Sequence, residues 1–186
     1  MGKRMVTPSS KMPVGPSTIT VALCLLSLAC GSLCDPSWNL IRYVATNGTN
    51  SPECLNSTQA RRFPCRSLPY ALLGEDEGIQ YPDYCNYSSG PDNLCVRLED
   101  GVHRITGELQ VTNVSNLVIE AVNAGKANIL CGSFPGLEPN VYDDLVFFCS
   151  RNVTLSGVVV EQCGPVSSGV YVYVSDGVTI QDCVFR

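Results

Sequence analysis

The sequence predicts an all-β solenoid, a stack of coils made of short strands, on three observations. A polar turn followed by an apolar–variable–apolar triplet occurs three times. Upstream of each triplet, an apolar alternation lies at the same offsets from the start of the triplet. Side chains two residues apart on a strand share one face, so this pattern predicts strands with one buried face. The triplets begin 36 and 25 residues apart, a spacing typical of stacked repeats. The repeats occupy residues 114–119, 150–155 and 175–180, and their triplets begin at Leu117, Val153 and Val178.

The sequence ends inside an apolar stretch, at Phe185-Arg186. An uncapped coil would expose a strand edge and bare core, which natural solenoids cover. We therefore expect the coils to continue beyond residue 186.

The N-terminal residues are typical of a secretory signal peptide. Basic residues precede the apolar run 19–29, and the small residues Gly31 and Ser32 follow. A membrane anchor is the alternative, but eleven apolar residues are too few to span a bilayer comfortably. We expect cleavage near Gly31–Ser32 to remove residues 1–31 and to leave no membrane span in the rest. The basic residues are Lys3, Arg4 and Lys11.

The charge balance argues against a nucleic-acid partner. Without the leader, 9 basic residues face 17 acidic ones, a net charge of about −8. Such a surface has no electrostatic attraction for phosphate backbones.

The cysteines are typical of an oxidising compartment. Of 11 cysteines two lie in the leader, and the odd number of nine that remains predicts a free thiol or a partner beyond residue 186. Local spacing favours the pairs Cys54–Cys65 and Cys85–Cys95, since zinc sites need closer spacing such as Cys-x-x-Cys.

Two interpretations remain open for the cysteines of the coils. Cys131 and Cys149 flank an insertion at 132–144, and a disulfide between them would close its base. Alternatively, Cys149 and Cys183 align with Val174 and Val158, point inward and pack as small hydrophobic residues.

Five Asn-x-Ser/Thr sequons predict an N-glycosylated protein, because so many in an exported chain are rarely chance. Their asparagines are Asn47, Asn56, Asn86, Asn113 and Asn152.

The N-terminal part carries a resemblance to a known family. A strand at 41–45 is followed by an Asn-Gly turn at 46–50, a polar loop and a short helix at 68–73. This order, over about residues 43–73 and then the coils after Leu94, resembles the right-handed parallel β-helix proteins of the pectin-lyase-like kind. The resemblance implies an N-terminal cap over residues 32–93, which contains the short helix, and β-helix coils over residues 94–186. It implies no single activity, since this architecture hosts lyases, hydrolases, adhesins and surface proteins.

Enzymes on this fold place charged residues on the outward face of the coils. Here the outward triplet positions are Val118, Thr154 and Thr179, which cannot act as acids or bases. The preceding strands also lack a carboxylate pair, and no catalytic residue, cofactor or metal ligand is predicted. The outward positions of these strands are Gln110, Thr112, Val146, Phe148, Tyr171 and Tyr173.

The outward residues of two neighbouring coils predict an aromatic surface. Phe148 should lie beside Tyr173, and Val146 beside Tyr171, at the strand spacing of about 4.8 Å. Such a ladder stacks on sugar rings or docks a protein. The alternative is that the insertion 132–144 folds over it.

The other candidate metal-binding or catalytic residues are better explained by structural roles. The acidic residues at 75–77, and Asp143-Asp144 with Glu138, match no ordered calcium-ligand spacing and are typical of solvated loops. His103 is the sole histidine, and no nucleophile lies at a recognisable spacing from it.

The function predicted from these observations is a non-catalytic extracellular recognition or adhesion module that binds a glycan or a protein along its strand face. It would be secreted, or held at the cell surface by a later anchor. The alternatives are a polysaccharide lyase or glycoside hydrolase with its active site in coils beyond residue 186, and a purely structural matrix component.

Overall fold

The computed structural model describes residues 19–22, 32–34, 38–56, 58, 60–74, 92–105, 109–131, 145–161 and 169–186. The described residues are mostly in parallel β-strands, with one short α-helix and one 3-10 helix. The predicted β class and the short helix are therefore confirmed.

The strands are short, from two to seven residues. Their bounds are β1 Ile19–Ala22, β2 Leu40–Val44, β3 Asp92–Leu98, β4 Gly101–Ile105, β5 Leu109–Thr112, β6 Ser115–Ala121, β7 Ala127–Cys131, β8 Leu145–Phe148, β9 Arg151–Ser156, β10 Val159–Glu161, β11 Val170–Tyr173, β12 Asp176–Gln181 and β13 Val184–Phe185. The 3-10 helix η1 spans Pro52–Leu55, and the α-helix α1 spans Leu68–Leu73.

The described strands form three parallel sheets. Sheet A has the order β1-β12-β9-β6-β3-β2, sheet B the order β13-β10-β7-β4, and sheet C the order β11-β8-β5. From β4 onward the chain visits sheets B, C and A in turn, and each strand from β6 onward pairs with the strand three places earlier. Parallel pairing requires such crossovers, because the chain must return before it pairs again.

The register of the pairs follows the repeats found in the sequence. Leu117 lies opposite Val153, and Val153 lies opposite Val178. In sheet C, Leu145 lies between Leu109 and Val170. Strand β1, which falls within the predicted leader, pairs in parallel with β12.

Inward side chains from all three sheets meet in one apolar cluster. Leu117 of sheet A, Ile129 of sheet B and Phe147 of sheet C all belong to it and are fully buried. Burying a side chain of this size stabilises a fold by roughly 1.5–3 kcal/mol. The three sheets therefore depend on a single core.

Helix α1 covers the end of this core beside β2. Ser67 is its N-cap and accepts a hydrogen bond from the Tyr70 backbone N–H at 3.3 Å. Leu68, Ala71 and Leu72 are buried in the core cluster. Gly74 ends the helix with φ of +79°, the left-handed conformation that glycine adopts without strain.

An arginine lies where an inward apolar residue is expected on β2. Arg42 lies opposite the fully buried Val96, and its Nη1 donates hydrogen bonds to the Ala71 carbonyl and, at 3.5 Å, to the Leu72 carbonyl. These carbonyls belong to the last turn of α1, where no further helical N–H groups are available to bond to them. Burial lowers the pKa of Arg42 without neutralising it.

We expect Arg42→Met to lower the free energy of unfolding by about 2 kcal/mol, because hydrogen bonds to charged donors contribute roughly 1.5–3 kcal/mol. Urea denaturation followed by circular dichroism measures this. Arg104→Met, at an exposed position on β4, is the matched control and should change little. Equal midpoints for both variants would contradict the capping role.

The corners between sheets C and A contain residues with left-handed backbone. Asn113, Cys149 and Val174 have φ of 55°, 51° and 48°. Asparagine tolerates this region, but a β-branched side chain there is strained. Val174 is also 40% exposed, so its side chain gains little from burial.

We expect Val174→Asn to raise the free energy of unfolding by about 1 kcal/mol, the lower end of the cost of such strain. Thermal denaturation measures the gain. Val122→Asn provides the control, since Val122 is 38% exposed and is not among the residues with positive φ. If both substitutions had the same effect, strain at Val174 would not be the cause.

Candidate functional site

Three aromatic rings lie together on the outer face of sheet C, and we call them the aromatic patch: Phe148, Tyr171 and Tyr173. Phe148 lies opposite Tyr173 in the register, as the repeat alignment predicted, and their ring centroids are 5.5 Å apart with planes 8° from parallel. Tyr171 and Tyr173 follow on one strand, 6.3 Å apart and 14° from parallel. The two tyrosines are 48% and 52% exposed. The three rings are therefore nearly parallel, with the two tyrosines exposed and Phe148 half-buried beside Tyr173.

Val146 does not belong to this accessible surface, although the sequence placed it there. It lies opposite Tyr171 as expected, but only 6% of it is exposed. In the register it lies between Gln110 and Tyr171, two longer side chains that flank it on the sheet. The insertion 132–144, predicted as a possible cover, lies outside the described residues.

The outer face of sheet A carries a charged row that sequence analysis missed. Tyr43, Arg97 and Glu120 lie opposite one another on β2, β3 and β6. Arg97 lies 5.7 Å from the centre of the Tyr43 ring, and its Nε lies 2.9 Å from Glu120 Oε1, within ion-pair distance although the N–H is not aimed at the oxygen. The signal was present in the alternation, because Glu120 is the next outward position after Val118.

The Glu120 carboxylate is occupied by further donors from the N-terminal segment. Ser32 Oγ donates to Oε1 at 2.6 Å, and the Leu33 backbone N–H donates to Oε2 at 2.8 Å. Only 6% of the Glu120 side chain is exposed. This carboxylate binds the segment at Ser32, and its oxygens are not open to a substrate.

The same segment covers the next row of the sheet A face. Val118 points outward as predicted, yet it is buried in a small cluster with Cys34 and Cys95. Leu33 and Trp38 pack against this cluster, and Trp38 Nε1 donates to the Leu33 carbonyl at 2.9 Å. Val118 is therefore not available to a ligand.

The disulfides agree with the sequence in one pair and differ in another. Cys54 is bonded to Cys65, as their spacing predicted. Cys95 is bonded to Cys34 rather than to Cys85. The reason is its direction: Cys95 lies on the outer face of β3, where the Cys34 segment packs.

The remaining described cysteines divide into bonded and free. Cys131 and Cys149 both take part in disulfides, and neither of the two bonds between described cysteines includes them. The predicted bond from Cys131 to Cys149 is therefore not among those pairs, and Cys149 does not pack as a free thiol. Cys183 is a free thiol packed against the core, and burial raises its pKa.

One group of potential metal ligands lies among the described residues: Cys34, Cys95 and Glu120, with their ligand atoms within 4.8 Å of one another. Both sulfurs belong to one disulfide, and a metal requires thiolates. This cluster therefore does not suit a metal ion. The acidic residues at 75–77, 138 and 143–144 lie outside the described part of the chain.

The predicted glycosylation sites differ in their surroundings. Asn47 and Asn56 are exposed beside loops, whereas Asn113 is only 6% exposed. Asn152 is exposed, but its Nδ2 donates to Asn116 Oδ1 at 3.0 Å. Asn86 lies outside the described residues. The structure thus presents Asn47 and Asn56 most openly and does not present Asn113 as a surface site.

His103 lies inside the fold rather than at an open site. It is 3% exposed, and its Nε2 lies 2.7 Å from the Glu99 carbonyl. Burial lowers its pKa, and the Glu99 carbonyl and carboxylate oppose this only in part. A neutral histidine packed in this way fits a structural role.

No match to this chain was found among protein-family models, curated proteins or solved structures. Among the residues that the structure describes, none lies in a helix long and apolar enough to cross a membrane.

We expect His103 to make the protein less stable in mild acid. Its folded pKa lies below the unfolded value of about 6.5, so the unfolded state binds more protons as the pH falls through that value. Its contribution is retained above that pH and is lost below it, with a slope of up to about 1.4 kcal/mol per pH unit.

Urea denaturation at pH 7.5 and pH 5.0 measures this loss. His103→Gln removes the titrating group, so the pH-dependent difference between wild type and variant isolates the contribution of His103. Identical pH dependence in the two proteins would show that burial does not hold the ring neutral.

Proposed function

We propose that the protein is a secreted, non-catalytic recognition module built on a right-handed parallel β-helix, and that it binds an extracellular glycan through the aromatic patch. The observation that carries the proposal is the set of nearly parallel rings formed by the half-buried Phe148 and the exposed Tyr171 and Tyr173.

The solenoid interpretation is supported by the order in which the chain visits the sheets. Each strand from β6 onward pairs with the strand three places earlier, as in a coil with three faces. Inward residues of all three faces share one core cluster, as expected for the inside of such a coil. A right-handed winding is favoured because parallel crossovers are right-handed in about 98% of cases.

A glycan is favoured over a protein partner by the shape of the patch. Sugar rings have flat apolar faces that stack on aromatic planes. The ring centroids are 5.5 Å apart in the pair Phe148–Tyr173, which spans two strands, and 6.3 Å apart in the pair Tyr171–Tyr173, which lies along one strand. The rings extend along β11 and across to β8, so a ligand could contact side chains of two neighbouring strands. Large aromatic residues grouped on a protein surface are found more often at binding sites than on the rest of the surface.

Secretion is supported by the disulfides. Two bonds among the described residues suit an oxidising compartment, where such bonds persist. Exposed sequons at Asn47 and Asn56 would accept glycans in the same compartment.

No observation favours the alternative of a lyase or glycoside hydrolase. Glu120, an outward carboxylate in the middle of sheet A, is held by Ser32 Oγ and the Leu33 N–H and lies beside Arg97. A catalytic carboxylate must reach the bond that it cleaves. This one is fixed by the protein.

We expect Tyr171→Ala/Tyr173→Ala to weaken glycan binding about tenfold or more. Each lost aromatic stacking contact is worth roughly 0.5–1.5 kcal/mol, and 1.4 kcal/mol is tenfold in affinity. A glycan array probed with the secreted protein identifies a ligand, and calorimetry with that ligand measures the loss.

Two controls sharpen this experiment. Tyr171→Phe/Tyr173→Phe keeps the rings and should retain most of the affinity if stacking dominates. Phe63→Ala removes an aromatic ring that is 42% exposed and lies outside the patch, and it should have no effect. No glycan bound, or binding indifferent to the alanine substitutions, would refute the proposed site.

A further inference from the structure

The segment at Ser32 meets the outer face of sheet A at a single carboxylate. The two oxygens of Glu120 bind two consecutive residues, with Ser32 Oγ at 2.6 Å from Oε1 and Leu33 N at 2.8 Å from Oε2. Ser32 Oγ also accepts a hydrogen bond from the Cys34 N–H at 3.1 Å. The carboxylate therefore binds the segment at one defined point of the sequence, through the Ser32 side chain and the Leu33 backbone.

This carboxylate is nearly buried, and Arg97 is its cationic neighbour. The side chain of Glu120 is 6% exposed and that of Arg97 is 22% exposed. Arg97 is shared between Glu120 and Tyr43, whose hydroxyl lies 3.4 Å from Arg97 Nη1. A buried carboxylate needs compensating charge and hydrogen-bond donors, so a second cation here would be stabilising.

Exposure changes sharply along the segment. Ser32 is exposed, Leu33 is half-buried, and Cys34 is 6% exposed and bonded to Cys95. Cleavage of the bond that precedes Ser32 would remove none of the residues that make these contacts. A cut after Ser32 would instead remove a ligand of Glu120.

These contacts coincide with the small residues that end the predicted leader. We propose that hydrolysis of the Gly31–Ser32 peptide bond matures the protein, and that the Ser32 α-ammonium pairs with Glu120. The proposal rests on the predicted secretion and is independent of the aromatic patch. Water adds across the amide bond, so Gly31 leaves with a carboxylate, while the new amino group of Ser32 takes up the proton. A signal-peptide-cleaving endopeptidase of the secretory route would catalyse the step.

The disulfide makes this anchor permanent. The Cys34–Cys95 bond lies two residues after the new terminus and joins positions 61 residues apart. It keeps Ser32 beside Glu120 after the leader has gone, so the ion pair forms within one molecule and at high effective concentration. Strand β1 would leave with the leader, and β12 would then keep β9 as its partner.

The first test is the N-terminal sequence and intact mass of the protein secreted by eukaryotic cells that express the full chain. We expect Ser32 as the first residue. A first residue at any other position, or a retained Met1 or Met12 terminus, would overturn the proposal.

The second test is a double-mutant cycle on the secreted protein. Two glycines inserted between Gly31 and Ser32 move the cleaved terminus away from Glu120, and Glu120→Gln removes the charge. We expect each change alone to increase the unfolding equilibrium constant about fivefold, the upper range for a partly exposed ion pair. The insertion should have little further effect in the Glu120→Gln background.

Additive effects in this cycle would refute the pairing even if Ser32 is the terminus. If Glu120→Gln is not secreted, Glu120→Asp replaces it and should reduce the effect of the insertion, because the shorter side chain withdraws the carboxylate. Thr154→Val, on the same face of sheet A at β9, is the matched control and should leave the effect of the insertion unchanged. Glycan binding by the same samples tests the aromatic patch separately.

Discussion

Register between strands three places apart is the constraint on which the whole structure depends. A slip of one residue would turn every inward side chain of a strand outward. Leu117, Val153 and Val178 lie in one row of sheet A, while Leu109, Leu145 and Val170 form the matching row of sheet C. The inward side chains of each strand therefore fill the core only when the neighbouring strands are correctly aligned. The same alignment places Phe148 beside Tyr173 and Arg97 beside Glu120 on the outer faces.

The corners maintain this register with polar groups rather than with packing. Ser175 Oγ accepts from the Ser150 N–H at 3.0 Å and donates to the Phe147 carbonyl at 3.1 Å. At the start of β6, β9 and β12, the residues Asn116, Asn152 and Gly177 share a positive φ, and a Cβ on Gly177 would lie 2.9 Å from Asn152 Oδ1. These bonds satisfy buried backbone groups at the point where the chain changes sheet.

The outer faces of the sheets serve different purposes. On sheet A, the N-terminal segment covers Cys95 and Val118 and donates hydrogen bonds to Glu120, so this part of the face is buried. On sheet C, Tyr171 and Tyr173 remain about half exposed. Exposed aromatic side chains grouped on one face are typical of binding surfaces, and the proposed glycan site rests on this difference between the two faces.

The sequence by itself determined the features that depend on neighbouring residues or on the repeat. Alternation predicted the strands and their pairing, α1 was predicted as a short helix at 68–73, and spacing predicted the Cys54–Cys65 bond. Tertiary structure alone decided that Cys95 bonds Cys34, that Val118 and Val146 are covered, and that Glu120 binds Ser32. These features join segments up to 88 residues apart in sequence. Periodicity shows which face a side chain occupies, but not which distant segment will lie on that face.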